Sequence, residues 1–404
     1  MSTKLLTFLG TSDYEQCFYS TEAETTTEKL TYIQEALIEL GVVENSSSTE
    51  VVIFLTEDSE QKHFEPLNDR LGKFKVRTKS VLIPFGRSVD EIWEIFSAVN
   101  SEICANDSVV LDITHGFRSL PMLGLTLINY AKVAKDICVE GVYYAPYVSG
   151  RDNTPIFDLS EFDNLLEWTT AADQFVTAGS ALKLEALVKK HNSKVQRGKL
   201  AGESKEDWRA IGNFVQKLAS LTQSLSTCRL KDLSEQVREL QRLASKITDN
   251  NSKPIHSLIS TANREVAPIS NEDPLACGIA AARFCLNHNM IQQGITIIQE
   301  AAVTKVLIEI GVEGDEIYDH DKTRKYVTLA AKSFNVKIND EPQAEVYGKI
   351  KDFLKVNRQL VAGIDPLTGF RNDVNHAGMR DKPSSPCRIK SKLCSTIDVL
   401  TKYI

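Results

Sequence analysis

The sequence changes character near residue 150, and no other feature constrains the fold as strongly. Before that point short apolar runs alternate with helical patterns, the signature of a doubly wound α/β sheet. After it strand signals fade, and from about residue 158 onward almost every periodic segment has helical spacing. Strands are expected over residues 4–9, 51–55, 73–83, 109–113 and 139–144. Helices are expected over 26–40, 89–104 and 120–135, with a weak one near 64–71. Ile92, Ile95, Phe96 and Val99 follow the i, i+3, i+4, i+7 rule, which makes the helix over 89–104 the most secure.

With 404 residues the chain exceeds what one hydrophobic core usually supports. The reading is a Rossmann-like, mostly parallel α/β domain over 1–157, a helical connector over 158–190, and an all-α domain over 191–404. Within the helical part, residues 191–206, with Gly198 and Gly202, read as a loop, and a second interruption falls near 249–254. Ile291, Ile295, Ile298, Ala302 and Val306 recur on one helix face. Trp93, Trp168 and Trp208 are expected in the core or at interfaces.

No segment approaches the 18 apolar residues of a membrane span, and the N-terminal run reads as a first strand rather than an export signal, so a cytoplasmic protein without a membrane partner is expected. Eight Cys are scattered without a C-x-x-C, and are expected to be reduced and mostly packed. His63, His191, His256 and His320 stand in separated polar surroundings, so no metal site is expected. The acidic group from Glu313 to Asp321 lacks EF-hand order and reads as a solvated loop. A net charge of −7 argues against a surface coated for nucleic acid. Any nucleic-acid contact must be local.

Two loops leave the C-terminal ends of expected strands, where open α/β sheets place their ligands. One is Gly10-Thr11-Ser12-Asp13-Tyr14. The other is Asp112-Ile113-Thr114-His115-Gly116-Phe117-Arg118-Ser119. Glycine permits close backbone approach, the hydroxyls donate, and Arg118 at a helix start suits a phosphate. Neither G-x-G-x-x-G nor a P-loop is present, so NAD and Mg-ATP lack their fingerprints.

Phe8-Leu9-Gly10-Thr11-Ser12, Leu111-Asp112-Ile113-Thr114-His115-Gly116-Phe117-Arg118-Ser119-Leu120-Pro121 and Val142-Tyr143-Tyr144 resemble the CARF domain of CRISPR-associated effectors, over roughly residues 1–180. That resemblance implies a homodimer binding a cyclic oligoadenylate, with the tetra-adenylate favoured over the hexa-adenylate. By the same resemblance, Gly10, Thr11, Ser12, Thr114, His115, Gly116, Arg118 and Ser119 would contact the ligand.

In the helical half, Phe370-Arg371-Asn372-Asp373-Val374-Asn375-His376 holds an Arg and a His at a spacing that, at a helix start, lets both reach one phosphate. Histidine can take a proton from an RNA 2′-hydroxyl, and arginine can stabilise a phosphorane. Arg283 and His288 form a comparable pair, but Arg283 is flanked by Ala281, Ala282, Phe284, Cys285 and Leu286, whereas Arg371 stands among polar residues. The later pair is therefore chosen. Its R-N-x-x-x-H form resembles the HEPN ribonuclease motif, which implies catalytic roles for Arg371, His376 and Asn372, a composite site across a homodimer or higher homo-oligomer, single-stranded RNA as substrate, and no metal. Arg283 and His288 become scaffold. Residues from about 180 to 270 match no named family.

The expectation is thus a cyclic-oligoadenylate-activated, metal-independent RNA endonuclease of CRISPR type III antiviral defence. Two alternatives stand beside it. One is a ligand-sensing regulator without catalysis, with residues 225–246 as a basic recognition segment. The other adds ring-nuclease activity in the N-terminal domain, through Ser12, Thr114 or His115.

Overall fold

The structure, a computed structural model, describes residues 2–116, 119–148, 150–196, 205–247 and 254–404. It divides into two compact units, Met1–Leu166 and Glu167–Ile404. The first holds strands β1 (Thr3–Leu9), β2 (Phe18–Ser20), β3 (Thr49–Leu55), β4 (Arg77–Leu82), β5 (Ser108–Asp112), β6 (Cys138–Tyr144), β7 (Asn153–Pro155) and β8 (Phe157–Asp158). Its helices are α1 (Ile33–Glu39), α2 (Glu57–Leu71), α3 (Val89–Glu102) and α4 (Leu120–Lys135). The main sheet has the order β4-β3-β1-β5-β6-β8, parallel throughout except for the β6–β8 edge.

Both faces of this sheet are covered, which is why β1 and β3 read as largely apolar runs. Alternation along β1 sends Leu5 and Leu9 to a core shared with Leu37 of α1 and Leu67 of α2. Leu6 and Phe8 go to the opposite core, with Ile95 of α3 and Leu127 of α4.

Three expected elements differ in extent. The helix over 26–40 shrinks to Ile33–Glu39, because residues 17–30 pair as strand and bridge: Cys17 bridges Leu30, and Phe18–Ser20 lies parallel to Asn153–Pro155. The Thr26 hydroxyl accepts from the Tyr19 N–H, a local bond that competes with helix. The weak helix near 64–71 starts earlier, at Glu57, behind a Thr56–Ser59 capping box, and its internal Pro66 obscures the pattern. The strand over 73–83 begins only at Arg77, because residues 72–75 form the turn that leaves α2.

The second unit is helical among its described residues, with α5 (Ser160–Ala178) entering it from the first. It continues with α6 (Leu182–Gln196), α7 (Lys205–Ser226), α8 (Leu233–Ala244), α9 (Pro254–Val266), α10 (Pro274–Asn287) and α11 (Ile291–Glu309). The last helices are α12 (Lys325–Lys332), α13 (Glu341–Val356), α14 (Arg358–Asn375) and α15 (Pro386–Thr401). Helix α6 runs on through Gln196, so residues 191–196 are helix rather than the expected loop. Residues 197–204, and 248–253 of the second expected interruption, lie outside the described residues.

Two cores hold this unit. One gathers Phe175, Phe214, Leu218, Val237 and Ile259 from α5 to α9. The other gathers Ile298, Val306, Ile350, Ile364 and Ile397 from α11 to α15. Ile295, Ile298, Ala302 and Val306 are buried on one face of α11, as their spacing requires. Helices α10 and α11 approach closely at Gly278, where a Cβ would lie 2.1 Å from that of Ala301.

All eight Cys are free, but only Cys17, Cys277 and Cys285 are buried, so the expectation of mostly packed thiols is corrected. Trp168 is buried, whereas Trp93 is exposed. Among the described residues no helix is long and apolar enough to cross a membrane.

Candidate functional site

From β1 the chain crosses back to β3, and from β5 it goes on to β6, so the switch point of the sheet falls between β1 and β5. The two loops singled out in the sequence leave the ends of these neighbouring strands.

The loop after β1 is held from within and from α2. The Gly10 N–H donates to the Tyr14 hydroxyl at 2.8 Å, closing a turn that leaves Thr11 and Ser12 exposed. Lys62 donates to the Thr11 carbonyl at 2.9 Å and pairs with Asp13 at 2.7 Å. His63 Nε2 lies 2.9 Å from the Ser12 carbonyl, which can only accept, so the proton resides on Nε2. Nδ1 then accepts from the Tyr32 hydroxyl at 3.2 Å. Burial holds His63 below the usual imidazole range, in keeping with this neutral form.

The loop after β5 rests on Asp112, which is fully buried. Its Oδ2 receives the Thr7 hydroxyl at 2.6 Å and the Gln34 amide at 3.4 Å, and its Oδ1 receives the Thr114 N–H at 2.9 Å. The Thr114 hydroxyl accepts from the Ala145 N–H at 3.0 Å, tying the loop to the end of β6. Gly116 has φ +127°, and a Cβ there would lie 2.6 Å from Leu120 Cδ2, so the turn requires glycine. Ser119 stands half-buried at the start of α4. Arg118 lies outside the described residues.

An aromatic stack joins the two loops. The Tyr14 ring lies 4.6 Å from that of His63 and 4.3 Å from that of His115. Burial raises the Tyr14 hydroxyl to about 12 and lowers His115, against the opposing pull of Asp112. His115 Nε2 is shielded from water and has no hydrogen-bond partner among the described residues. Sequence reasoning missed His63, Tyr32 and the Thr7–Gln34–Asp112 network. His63 is not the isolated polar residue expected, because α2 turns it into this stack. Among the described residues no group of side chains is arranged to hold a metal.

In the second unit, Arg371, Asn372 and His376 lie at the end of α14, not at a helix start as the sequence reading had it. Gly363, Pro366 and Gly369 hide the preceding turns from propensity-based reading. His376 is the C-cap, and Ala377 and Gly378, at φ +53° and +69°, end the helix. Asn372 and His376 are exposed. The Arg371 side chain is one-third exposed and donates through Nη1 to Glu300 Oε1 of α11 at 2.7 Å and to Gln299 Oε1 at 3.4 Å. Between these residues Asp373 is buried, and its Oδ2 accepts the Ser384 N–H at 2.6 Å. That hydrogen bond lowers the Asp373 carboxyl and anchors the loop that follows His376. Arg380, Lys382, Arg388 and Lys390 are exposed on this loop and the first turns of α15, against one exposed acid, Asp381. This surplus supplies the local positive charge that the net charge of the chain does not.

The comparison pair behaves differently. His288 is buried, with Nδ1 2.7 Å from the Phe284 carbonyl and Nε2 2.9 Å from that of Val176. Arg283 is exposed rather than packed, and touches the Thr401 hydroxyl at 3.5 Å. In the basic segment over 225–246, Arg238 pairs with Glu272, while Glu239 pairs with Lys217.

A family model described as CRISPR-associated protein MJ1674, second domain, matches residues 164–267, the span of α5 to α9 that the sequence reading left largely without a family. The chain is also similar to CRISPR-associated protein MJ1674 of Methanocaldococcus jannaschii, 23% identical over 311 residues that make up 76% of this chain and 43% of that protein. The chain thus spans less than half the length of this relative. These similarities support a CRISPR-related role.

Proposed function

We propose that the chain is a cytoplasmic, cyclic-oligoadenylate-activated endonuclease for single-stranded RNA, acting in CRISPR type III antiviral defence as a homodimer or higher homo-oligomer. On this reading the first unit is a CARF-like sensor and the second a HEPN-like ribonuclease. The observation that carries the proposal is the end of α14, where exposed Asn372 and His376 accompany an Arg371 whose side chain is one-third exposed.

The chemistry follows from the side chains. His376 takes the proton of an RNA 2′-hydroxyl as that oxygen attacks the adjacent phosphorus, and the bond to the 5′-oxygen of the next nucleotide breaks. The products are a 2′,3′-cyclic phosphate and a 5′-hydroxyl that receives a proton. Arg371 stabilises the charge that builds on the phosphorane, and Asn372 orients the strand. Since side chains supply both proton transfer and charge stabilisation, the reaction is metal-independent. DNA lacks the nucleophile.

Gly10, Thr11, Ser12, Thr114, His115, Gly116, Arg118 and Ser119 form the activator site, with the tetra-adenylate favoured. Helix α4 leaves that site exposing Met122, Tyr130 and Val133, an apolar face of the kind a second copy covers. The activator works by binding the active arrangement more tightly than the resting one. His376→Ala is expected to abolish activator-stimulated RNA cleavage while leaving activator binding intact. Cleavage at the wild-type rate would overturn the assignment.

A further inference from the structure

We propose that Glu300 is a positioning residue for Arg371, fixing one end of its guanidinium so that the remaining edge meets the scissile phosphate. The inference rests on the ribonuclease reading above and adds a residue outside the R-N-x-x-x-H segment.

Glu300 divides its carboxylate between two arginines. Oε1 receives Arg371 Nη1 at 2.7 Å, and Oε2 receives Arg324 Nη2 at 2.6 Å. Arg324 is the firmer partner, because its side chain is largely buried and makes three further bonds. Nη1 donates to the Ile317 carbonyl at 2.9 Å and the Thr304 hydroxyl at 3.2 Å, and Nη2 also donates to the Glu300 carbonyl at 3.2 Å. It closes the π-helical turn His320–Arg324, a local geometry often found at functional sites. The carboxylate is thus fixed from behind by Arg324. Gln299 adds a second hold: its Nε2 donates to the Thr368 hydroxyl of α14 at 2.8 Å while its Oε1 faces Arg371 Nη1.

All of these contacts use Nη1. Arg371 Nη2 and Nε make no hydrogen bond to a described residue, so one edge of the planar fork is left unpaired there, and these are two donors that a phosphate can accept bidentately. Charge supports the same assignment. A carboxylate paired with one arginine would cancel it, whereas one shared by two leaves a net positive charge at the end of α14 that carries His376. A clamp that only silenced Arg371 would need neither the second arginine nor the open edge.

Glu300→Gln keeps the side-chain shape and one acceptor but loses the shared charge. With activator present, RNA cleavage at saturating substrate is expected to fall about 100-fold, the scale of a misplaced catalytic group, with the melting temperature near that of wild type. The decisive comparison is the cycle of Glu300→Gln, Arg371→Ala and the double variant. If Glu300 acts through Arg371, adding Glu300→Gln to Arg371→Ala costs nothing further. Losses that multiply would overturn the inference, and so would faster cleavage without activator, which would make the contact an inhibitory one. If the wild-type chain cleaves no RNA, the ribonuclease reading falls, and the same cycle read as affinity for an uncleavable 2′-O-methyl strand decides the role of Glu300 separately. Coupled effects there support it, and additive ones sink it.

Discussion

Replacing Asp112 with Asn tests how the first unit holds the two loops proposed to bind the activator. The substitution keeps the shape of a fully buried side chain and removes its charge. In the wild-type chain the carboxylate receives the Thr7 hydroxyl, the Gln34 amide and the Thr114 N–H. The new amide can still offer its oxygen to Thr114. Its NH2 then faces Thr7, whose hydroxyl already receives Gln34 Nε2 at 2.6 Å, and the Thr7 proton loses its acceptor where water cannot replace it. A hydrogen bond to a charged group contributes about 1.5–3 kcal/mol, and relief of the buried charge offsets part of that, so the loss is expected near 2 kcal/mol. For a unit of this size that lowers the melting temperature by about 4–8 °C. Calorimetry of the full chain is the assay, since two units melt as more than one cooperative transition and only one should move. Affinity for cyclic tetra-adenylate should fall roughly tenfold as the Thr114–Gly116 turn loosens, equivalent to about 1.4 kcal/mol. A melting profile within about 1 °C of wild type would show that the Asp112 carboxylate does not hold the loop, because the expected shift is several times larger.

Acidification should destabilise the same unit. His63 and His115 are held below the imidazole value of about 6.5, so their stabilising effect is complete above that pH and is lost as pH falls through their folded values. The relevant transition should therefore drop between pH 7 and 5, and His63→Gln should flatten the drop; an equally steep drop in that variant would count against the burial argument. His288→Ala should destabilise the helical unit by about 2–4 kcal/mol, since it empties a packed site and leaves the Val176 carbonyl without the ring that faces it, whereas exposed Arg283→Ala should stay within about 0.5 kcal/mol. Urea unfolding of both variants checks this, and equal effects would remove the distinction between buried His288 and exposed Arg283.

The parallel sheet was legible because β1, β3 and β5 are buried on both faces, and burial of that kind writes itself as short apolar runs. The fringe was not. β2 and β7 are three residues each, and their pairing joins Phe18 to Asn153 across the whole unit, which no local pattern encodes. The sequence also marked the two loops at the strand ends, through their glycines and hydroxyls. It could not mark His63, whose relation to Ser12 and Tyr14 depends on how α2 packs. At the other site, Arg371 and His376 were visible as a spaced pair, yet their place at the end of α14 was hidden by Pro366 and two glycines. Glu300 was invisible for the same reason as His63: its link to Arg371 runs between α11 and α14 and exists only once those helices pack.

Ligand at the sheet crest is proposed to turn on RNA cleavage at the end of α14. The most direct test is to incubate the purified protein with labelled single-stranded RNA, adding each cyclic oligoadenylate separately and keeping EDTA present throughout. We expect cleavage with the cyclic tetra-adenylate, leaving 2′,3′-cyclic phosphate ends, and little without it. Intact RNA with every ring size, or cleavage that appears only when a divalent metal is restored, would contradict the claim.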